Sequence, residues 1–101
     1  MIIYNTTYSV SDKVYGSFLK WIREKHIPQM ISSGYFSDSR VSRVITEVEE
    51  EGTSLSVQLM AESIDSVSDW NEQYGDLFRM EIASLFSEQV LYFCTFLEII
   101  E

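Results

Sequence analysis

Residues 90–100 are apolar at nearly every position, and this pattern limits how the chain can fold. Tyr92, Phe93 and Phe96 favour a strand over a helix here, and successive side chains of a strand point to opposite faces. One face would carry Val90, Tyr92, Cys94 and Phe96, and the other would carry Leu91, Phe93, Leu97 and Ile99. A strand with large apolar side chains on both faces is typical of a sheet that is covered on both faces.

Three further segments are predicted to be strands. Residues 2–10 and 53–61 alternate between two sets of side chains with a period of two. Residues 35–48 are predicted to form a long strand. The turn Glu49-Glu50-Glu51-Gly52 joins this strand to residues 53–61, which indicates an antiparallel hairpin. The glutamates of this turn are expected to form a solvated tip, and Cys94 in the last strand is expected to be a small buried hydrophobe.

Two amphipathic helices separate these strands. The first carries apolar residues at helical spacing from Val14 to Ile22, and Pro28 predicts that it stops or kinks near His26. The second spans the apolar positions from Val67 to Leu85, with a predicted bend near Gly75. Ser66 followed by Asp69 resembles a capping box at the start of the second helix.

The resulting order is βαββαβ, and the length of 101 residues suits one domain, residues 1–101. This order predicts an α+β, ferredoxin-like fold, in which a four-stranded antiparallel sheet has two helices on one face. Two helices cover one face only, so the apolar residues on the other face of the last strand need a partner. A second copy of the chain, packed sheet against sheet, would supply that cover as a homodimer.

The formal net charge of -9 makes nucleic acid and anionic membranes poor partners. The sequence has no run of about 20 apolar residues and no basic segment at its start, which favours a cytoplasmic protein. A single histidine and a single cysteine leave no metal quartet, and no Walker A loop, GxGxxG or GxSxG motif occurs. We therefore expect no metal and no cofactor.

His26 is the one side chain that titrates near neutral pH unaided, and it is the candidate catalytic residue. It could simply complement the helix dipole, or it could act as a base or hydrogen-bond donor at the mouth of a cleft. Trp21, with Trp70 and Tyr74, could line such a pocket, although its helical spacing first indicates core packing. Asn5 could contact a ligand within a dimer, but a cross-strand or cross-dimer hydrogen bond is favoured.

Three segments together resemble a known family: Met1-Ile2-Ile3-Tyr4-Asn5, then His26-Ile27-Pro28 with Gly34-Tyr35-Phe36, then Phe96-Leu97-Glu98-Ile99-Ile100. The family consists of small bacterial proteins that are known as a domain of unknown function in the dimeric α/β-barrel superfamily. The resemblance implies a ferredoxin-like protomer that dimerises through its sheet. Distant relatives include cofactor-free monooxygenases and haem-degrading enzymes, which place Asn, Trp, His or Tyr around a cleft. By residue type this chain offers Asn5, Trp21, His26 and Tyr35, which are the candidate ligand-binding residues.

The leading functional hypothesis is a small homodimer that binds a small apolar or aromatic molecule. One alternative is a cofactor-independent monooxygenase-like or isomerase-like enzyme, with His26 as base and Asn5 or Tyr35 orienting the substrate. The other alternative is a structural or interaction protein without a ligand, whose cleft is filled by its own aromatic side chains.

Overall fold

The computed structural model describes residues 1–45 and 51–101, and in them strands and helices follow the predicted βαββαβ order. The strands are β1 (Ile2–Val10), β2 (Ser39–Arg43), β3 (Thr53–Ala61) and β4 (Val90–Glu98). The helices are α1 (Tyr15–Trp21), α2 (Ile27–Ser32), α3 (Ile64–Trp70) and α4 (Asp76–Phe86). A first π-helical turn (Ile22–His26) joins α1 to α2, and a second π-helical turn (Asn71–Gly75) joins α3 to α4. The chain therefore has two helical segments, residues 15–32 and residues 64–86.

The four strands form one antiparallel sheet in the order β2-β3-β1-β4. Strand β1 is central and pairs along its whole length with β3 on one side and β4 on the other. This topology confirms the ferredoxin-like fold. In the described residues 1–45 and 51–101, no helix has the length and apolarity needed to cross a membrane.

The predicted alternation in β1 and β3 separates a buried face from an open face. Alternate side chains of both strands are buried and pack against the helical segments. One part of this core surrounds Tyr8 and Phe18, whose ring centroids are 4.9 Å apart. The other part surrounds Tyr4 and Trp70, whose ring centroids are 5.9 Å apart. The two helical segments thus cover the same face of the sheet.

Strand β2 is shorter than the predicted strand of residues 35–48. Phe36 is buried in the core beside Tyr4, so the chain must first leave the helical layer before it reaches the edge of the sheet. Two backbone hydrogen bonds link the residues just before β2 to β3. The Ser37 amide donates to the Met60 carbonyl, and the Met60 amide donates to the Asp38 carbonyl. Residues 46–50, which include Glu49 and Glu50 of the predicted turn, lie outside the described residues.

A π-helical turn interrupts each helical segment where a break or bend was predicted, near His26 and near Gly75. The first segment does not stop before Pro28, because Ile27 keeps helical angles (φ -60°, ψ -48°). Pro28 therefore lies inside a continuous helical segment, directly after the first π-helical turn, and has no N–H to donate to a carbonyl of the preceding turn. After α2 the chain turns at Gly34, which has a positive φ of 84° as expected for the predicted left-handed cap.

The start of the second helical segment lies three residues before the predicted cap. The Ser63 side chain accepts a hydrogen bond from the Ser66 amide at 3.2 Å, so Ser63 is the N-cap of α3 and Ser66 lies inside the first turn. Ser66 with Asp69 fits the pattern of a cap with an acid three residues on, whereas Ser63 has only Ser66 at that position.

Strand β4 is an edge strand, and the helices leave most of it uncovered. On the open face, Leu91 is 66% exposed and Phe93 is 61% exposed, as the alternating pattern predicted for a monomer. On the other face, Cys94 is exposed and lies 3.2 Å from the Tyr4 hydroxyl, so the prediction of a buried Cys94 is wrong. The helical segments pack mainly over β1 and β3, and they leave the C-terminal half of β4 uncovered.

Candidate functional site

A cleft of about 640 Å³ opens between the two helical segments, and we call it the helical cleft. Its volume lies in the usual range for small-molecule sites. The first helical segment contributes Trp21, Glu24, Lys25, His26, Pro28, Gln29, Met30, Ser32 and Ser33. The second contributes Trp70, Tyr74, Leu77, Phe78 and Glu81. The cleft therefore combines an aromatic floor with a few charged groups near its rim.

Both tryptophans of the chain line the helical cleft, and each one directly precedes a π-helical turn. Trp21 is followed by the first π turn, and Trp70 is followed by the second. A π turn widens the helix by about one residue and shifts the side chains that follow it. Phe78 lies between the two indoles, with ring-centroid distances of 6.2 Å to Trp21 and 6.1 Å to Trp70.

His26, the last residue of the first π turn, packs against two aromatic rings that also contact each other. Its imidazole stacks on Trp21 at 4.9 Å and on Phe78 at 4.8 Å, with interplanar angles of 15° and 27°. The residue is only 4% exposed. Burial lowers the pKa of His26 from 6.5 to about 4, and the opposing effect of the Glu81 carboxylate is smaller. His26 is therefore neutral near pH 7, and its ring can donate or accept a hydrogen bond.

Glu81 of α4 ties the two walls of the helical cleft together. Its Oε1 accepts a hydrogen bond from the Trp21 indole N–H at 2.7 Å. The same oxygen lies 3.5 Å from the Lys25 ammonium, so these two groups form an ion pair at the rim. The hydrogen bond fixes the Trp21 ring, whose face forms part of the floor.

Tyr35, a candidate ligand-binding residue, lies behind the wall of the helical cleft. Its hydroxyl donates a hydrogen bond to Gln73 Oε1 at 2.8 Å. Its ring packs edge-on against Tyr74, which does line the cleft, at 6.5 Å. Tyr35 therefore supports a lining residue.

Asn5 lies on the open face of the sheet, away from the helical cleft. Its amide nitrogen donates hydrogen bonds to Thr7 Oγ1 at 3.3 Å and to Thr95 Oγ1 at 3.1 Å. Its carbonyl oxygen accepts a hydrogen bond from the Ser56 hydroxyl at 2.5 Å. These contacts join β1 to β3 and β4, which is the cross-strand role that the sequence favoured for Asn5.

Of the four candidate residues, Trp21 and His26 come together in the helical cleft, while Tyr35 and Asn5 do not line it. Phe78 and Glu81 were not singled out as site residues, although they form its floor and its central hydrogen bond. One sequence feature could have indicated that the second helical segment contributes to the site: each half of the sequence has a tryptophan followed by a predicted bend. Within residues 1–45 and 51–101, no cluster of three or more His, Cys, Asp or Glu side chains could hold a metal ion.

Solved structures with the same fold cover almost the whole chain. An EthD family protein from Bacillus halodurans C-125 has a TM-score of 0.70 and 12% identity, covering 98% of this chain and 100% of its own. A dimeric ferredoxin-like protein from an uncultured marine organism has a TM-score of 0.67 and 8% identity, covering 100% and 96%. A Bacillus cereus protein provisionally named an antibiotic biosynthesis monooxygenase has a TM-score of 0.57 and 14% identity, covering 99% and 95%. Identities this low indicate a common fold only.

A search of curated proteins gave no match. A family model described as a domain of unknown function, DUF4286, matches residues 1–100.

Proposed function

The chain belongs to the family defined as the domain of unknown function DUF4286, and from this premise we propose that it is a cytoplasmic homodimer that binds a small apolar or aromatic molecule in the helical cleft. One observation carries the proposal: the buried imidazole of His26 stacks with Trp21 and with Phe78, and all three rings border an open cleft of about 640 Å³. Flat aromatic surfaces favour a flat apolar ligand, and a neutral imidazole can hydrogen-bond its polar group.

An open cleft of this volume argues against a purely structural protein. If the aromatic side chains existed only to fill the core, they would close the space between the helical segments at the density of a protein interior. Instead, Trp21, Trp70 and Phe78 pack against their neighbours and also border the cleft. Their position supports a ligand-binding role in addition to core packing.

A cofactor-independent monooxygenase or isomerase is the second candidate, and the presence of His26 in the cleft favours it. The provisional name of the Bacillus cereus structure is compatible with this alternative. However, a general base works best when its pKa is close to the working pH, and burial lowers the pKa of His26 to about 4. A base of that pKa abstracts protons poorly at neutral pH, so we prefer binding to catalysis.

The homodimer is supported by the open face of the sheet. Leu91, Phe93 and Leu97 of β4 are exposed there, and exposed apolar clusters on a soluble protein often mark an interface. Asn5 lies on the same face and forms hydrogen bonds with polar side chains of its own strand β1 and of the neighbouring strands β3 and β4. The dimeric ferredoxin-like structure from an uncultured marine organism provides a precedent for the association of two such protomers.

Ligand-observed NMR with a set of small aromatic compounds tests the binding proposal. We expect several compounds to bind, and we expect Tyr74→Ala to weaken their binding because it removes a half-exposed wall of the cleft. Leu85→Ala is the matched control, since Leu85 is an exposed apolar residue of α4 that does not line the cleft. The proposal is wrong if no compound binds, or if Tyr74→Ala and Leu85→Ala bind the compounds equally well.

A further inference from the structure

The helical cleft carries charges as well as aromatic rings, and we infer that its ligand is an organic cation: an ammonium group attached to an apolar or aromatic body. This inference rests on the proposed binding function and adds the charge of the ligand to it. The observations that carry it are the balance of charges at the rim and the aromatic faces beneath them.

The charged groups that line the cleft leave a net negative charge. The carboxylates are Glu24 and Glu81, and the basic group is Lys25. Lys25 Nζ lies 3.5 Å from Glu81 Oε1, so these two charges offset each other. Glu24 forms no ion pair within the part of the chain that the structure describes. One carboxylate therefore remains for a ligand, and it attracts a cation.

The floor beneath these charges suits a cation equally well. Trp21, Trp70, Tyr74 and Phe78 border the same cleft, and the faces of aromatic rings carry negative partial charge. Ammonium groups bind to such faces most strongly when they are partly removed from water. A ligand with an aromatic body could stack on these rings while its ammonium group reaches the rim.

An organic acid fits the same cleft poorly. Lys25 is already paired with Glu81, and His26 is buried against two aromatic rings, a position that disfavours a positive charge on its imidazole. No other basic residue borders the cleft within residues 1–45 and 51–101. The net charge of -9 on the whole chain also repels anions and attracts cations.

Three compounds of similar size test the sign of the ligand's charge: 2-phenylethylamine, 2-phenylethanol and phenylacetate. Both tryptophans of the chain line the cleft, so intrinsic fluorescence reports directly on its occupancy. We expect the amine to bind about tenfold more tightly than the alcohol and the acid to bind most weakly. If the alcohol binds as tightly as the amine, the inference fails while the proposed function stands. If none of the three compounds binds, the proposed function fails as well.

Two variants separate a specific contact from general attraction to an acidic protein. Glu24→Gln should reduce amine affinity to that of the alcohol and leave alcohol binding unchanged. Lys25→Met should increase amine affinity, since it frees the Glu81 carboxylate, whereas it would weaken the binding of an acid.

Glu88→Gln is the control, because Glu88 is exposed outside the cleft and the substitution changes the net charge by the same amount as Glu24→Gln. Glu24 is itself exposed, so the folds of both Gln variants can be compared directly by circular dichroism. An equal loss of amine affinity in Glu24→Gln and Glu88→Gln would overturn the inference.

Discussion

Burial, and not a neighbouring charge, determines the protonation state of His26. The imidazole is removed from water by its packing against Trp21 and Phe78, and the Glu81 carboxylate compensates only in part. His26 is the candidate from the sequence because it is the only histidine and because a helix break was expected beside it. Its low pKa could not be predicted, since that depends on Phe78, which is 52 positions further along the chain and reaches His26 only in the folded state.

The low pKa of His26 makes protein stability depend on pH. In the unfolded chain the imidazole has its ordinary pKa of 6.5, so between pH 6.5 and about 4 the unfolded state binds a proton that the folded state does not. The free energy of unfolding should therefore fall as the pH is lowered through this range, by a total of about 3 kcal/mol from this residue. Urea denaturation of the wild type and of His26→Phe at several pH values checks this expectation.

His26→Phe keeps an aromatic ring packed against Trp21 and Phe78 but cannot bind a proton. All other titratable side chains are present in both proteins, so the difference between the two curves isolates His26. The wild type should lose more stability than the variant as the pH falls from 6.5 to 4. Parallel curves would contradict the low pKa.

At the scale of elements, periodicity was a good guide to strands and a poorer guide to boundaries. The faces of β1, β3 and β4 followed from alternation alone, because alternate side chains of a strand must point to opposite sides. The start of β2 could not be predicted, since Phe36 is held by distant core residues and delays entry into the sheet. The predicted cap of α3 at Ser66 was wrong, because the acid at Asp69 favours Ser66 in the local pattern while the Ser63 side chain accepts the hydrogen bond.

Ser63→Ala should destabilise the protein by about 1 kcal/mol, because it removes the side-chain acceptor for the Ser66 amide at the start of α3. Ser68→Ala is the matched control, since Ser68 is an exposed serine within the same helix and alanine favours helix formation. The free energies of unfolding from guanidinium denaturation give the comparison. If both variants were equally stable, Ser63 would not act as the cap.

At the scale of the whole molecule, the order of elements determined the fold class, while the width of the helical layer determined what remains exposed. The βαββαβ order led directly to the ferredoxin-like sheet. The exposure of Cys94 could not be read from its apolar neighbours in sequence, because it depends on how far the helical segments extend across β4. The same geometry leaves Leu91 and Phe93 on the open face.

Phe93→Lys should shift the protein from dimer towards monomer. In a two-fold dimer each substitution occurs twice, and loss of a central aromatic contact costs about 2 kcal/mol per copy, so we expect a total of about 4 kcal/mol, or roughly a thousandfold in dissociation constant. Sedimentation velocity at micromolar concentrations gives the oligomeric state. Met80→Lys is the control, because Met80 is an exposed apolar residue of α4, on the helical side of the sheet. A wild-type protein that sediments as a monomer at these concentrations would contradict the dimer.

The two π-helical turns also affect how the cleft could arise or disappear through mutation. Each turn amounts to one additional residue carried inside a helix, and every side chain beyond it is rotated by about 100° relative to an uninterrupted α-helix. The shape of both walls of the cleft therefore depends on the rotation of side chains about the helix axis as much as on the identity of those side chains. The mutation that matters most for such a site is the deletion or insertion of one residue in either helical segment. It rotates the side chains that follow it about the helix axis without changing the identity of any lining residue.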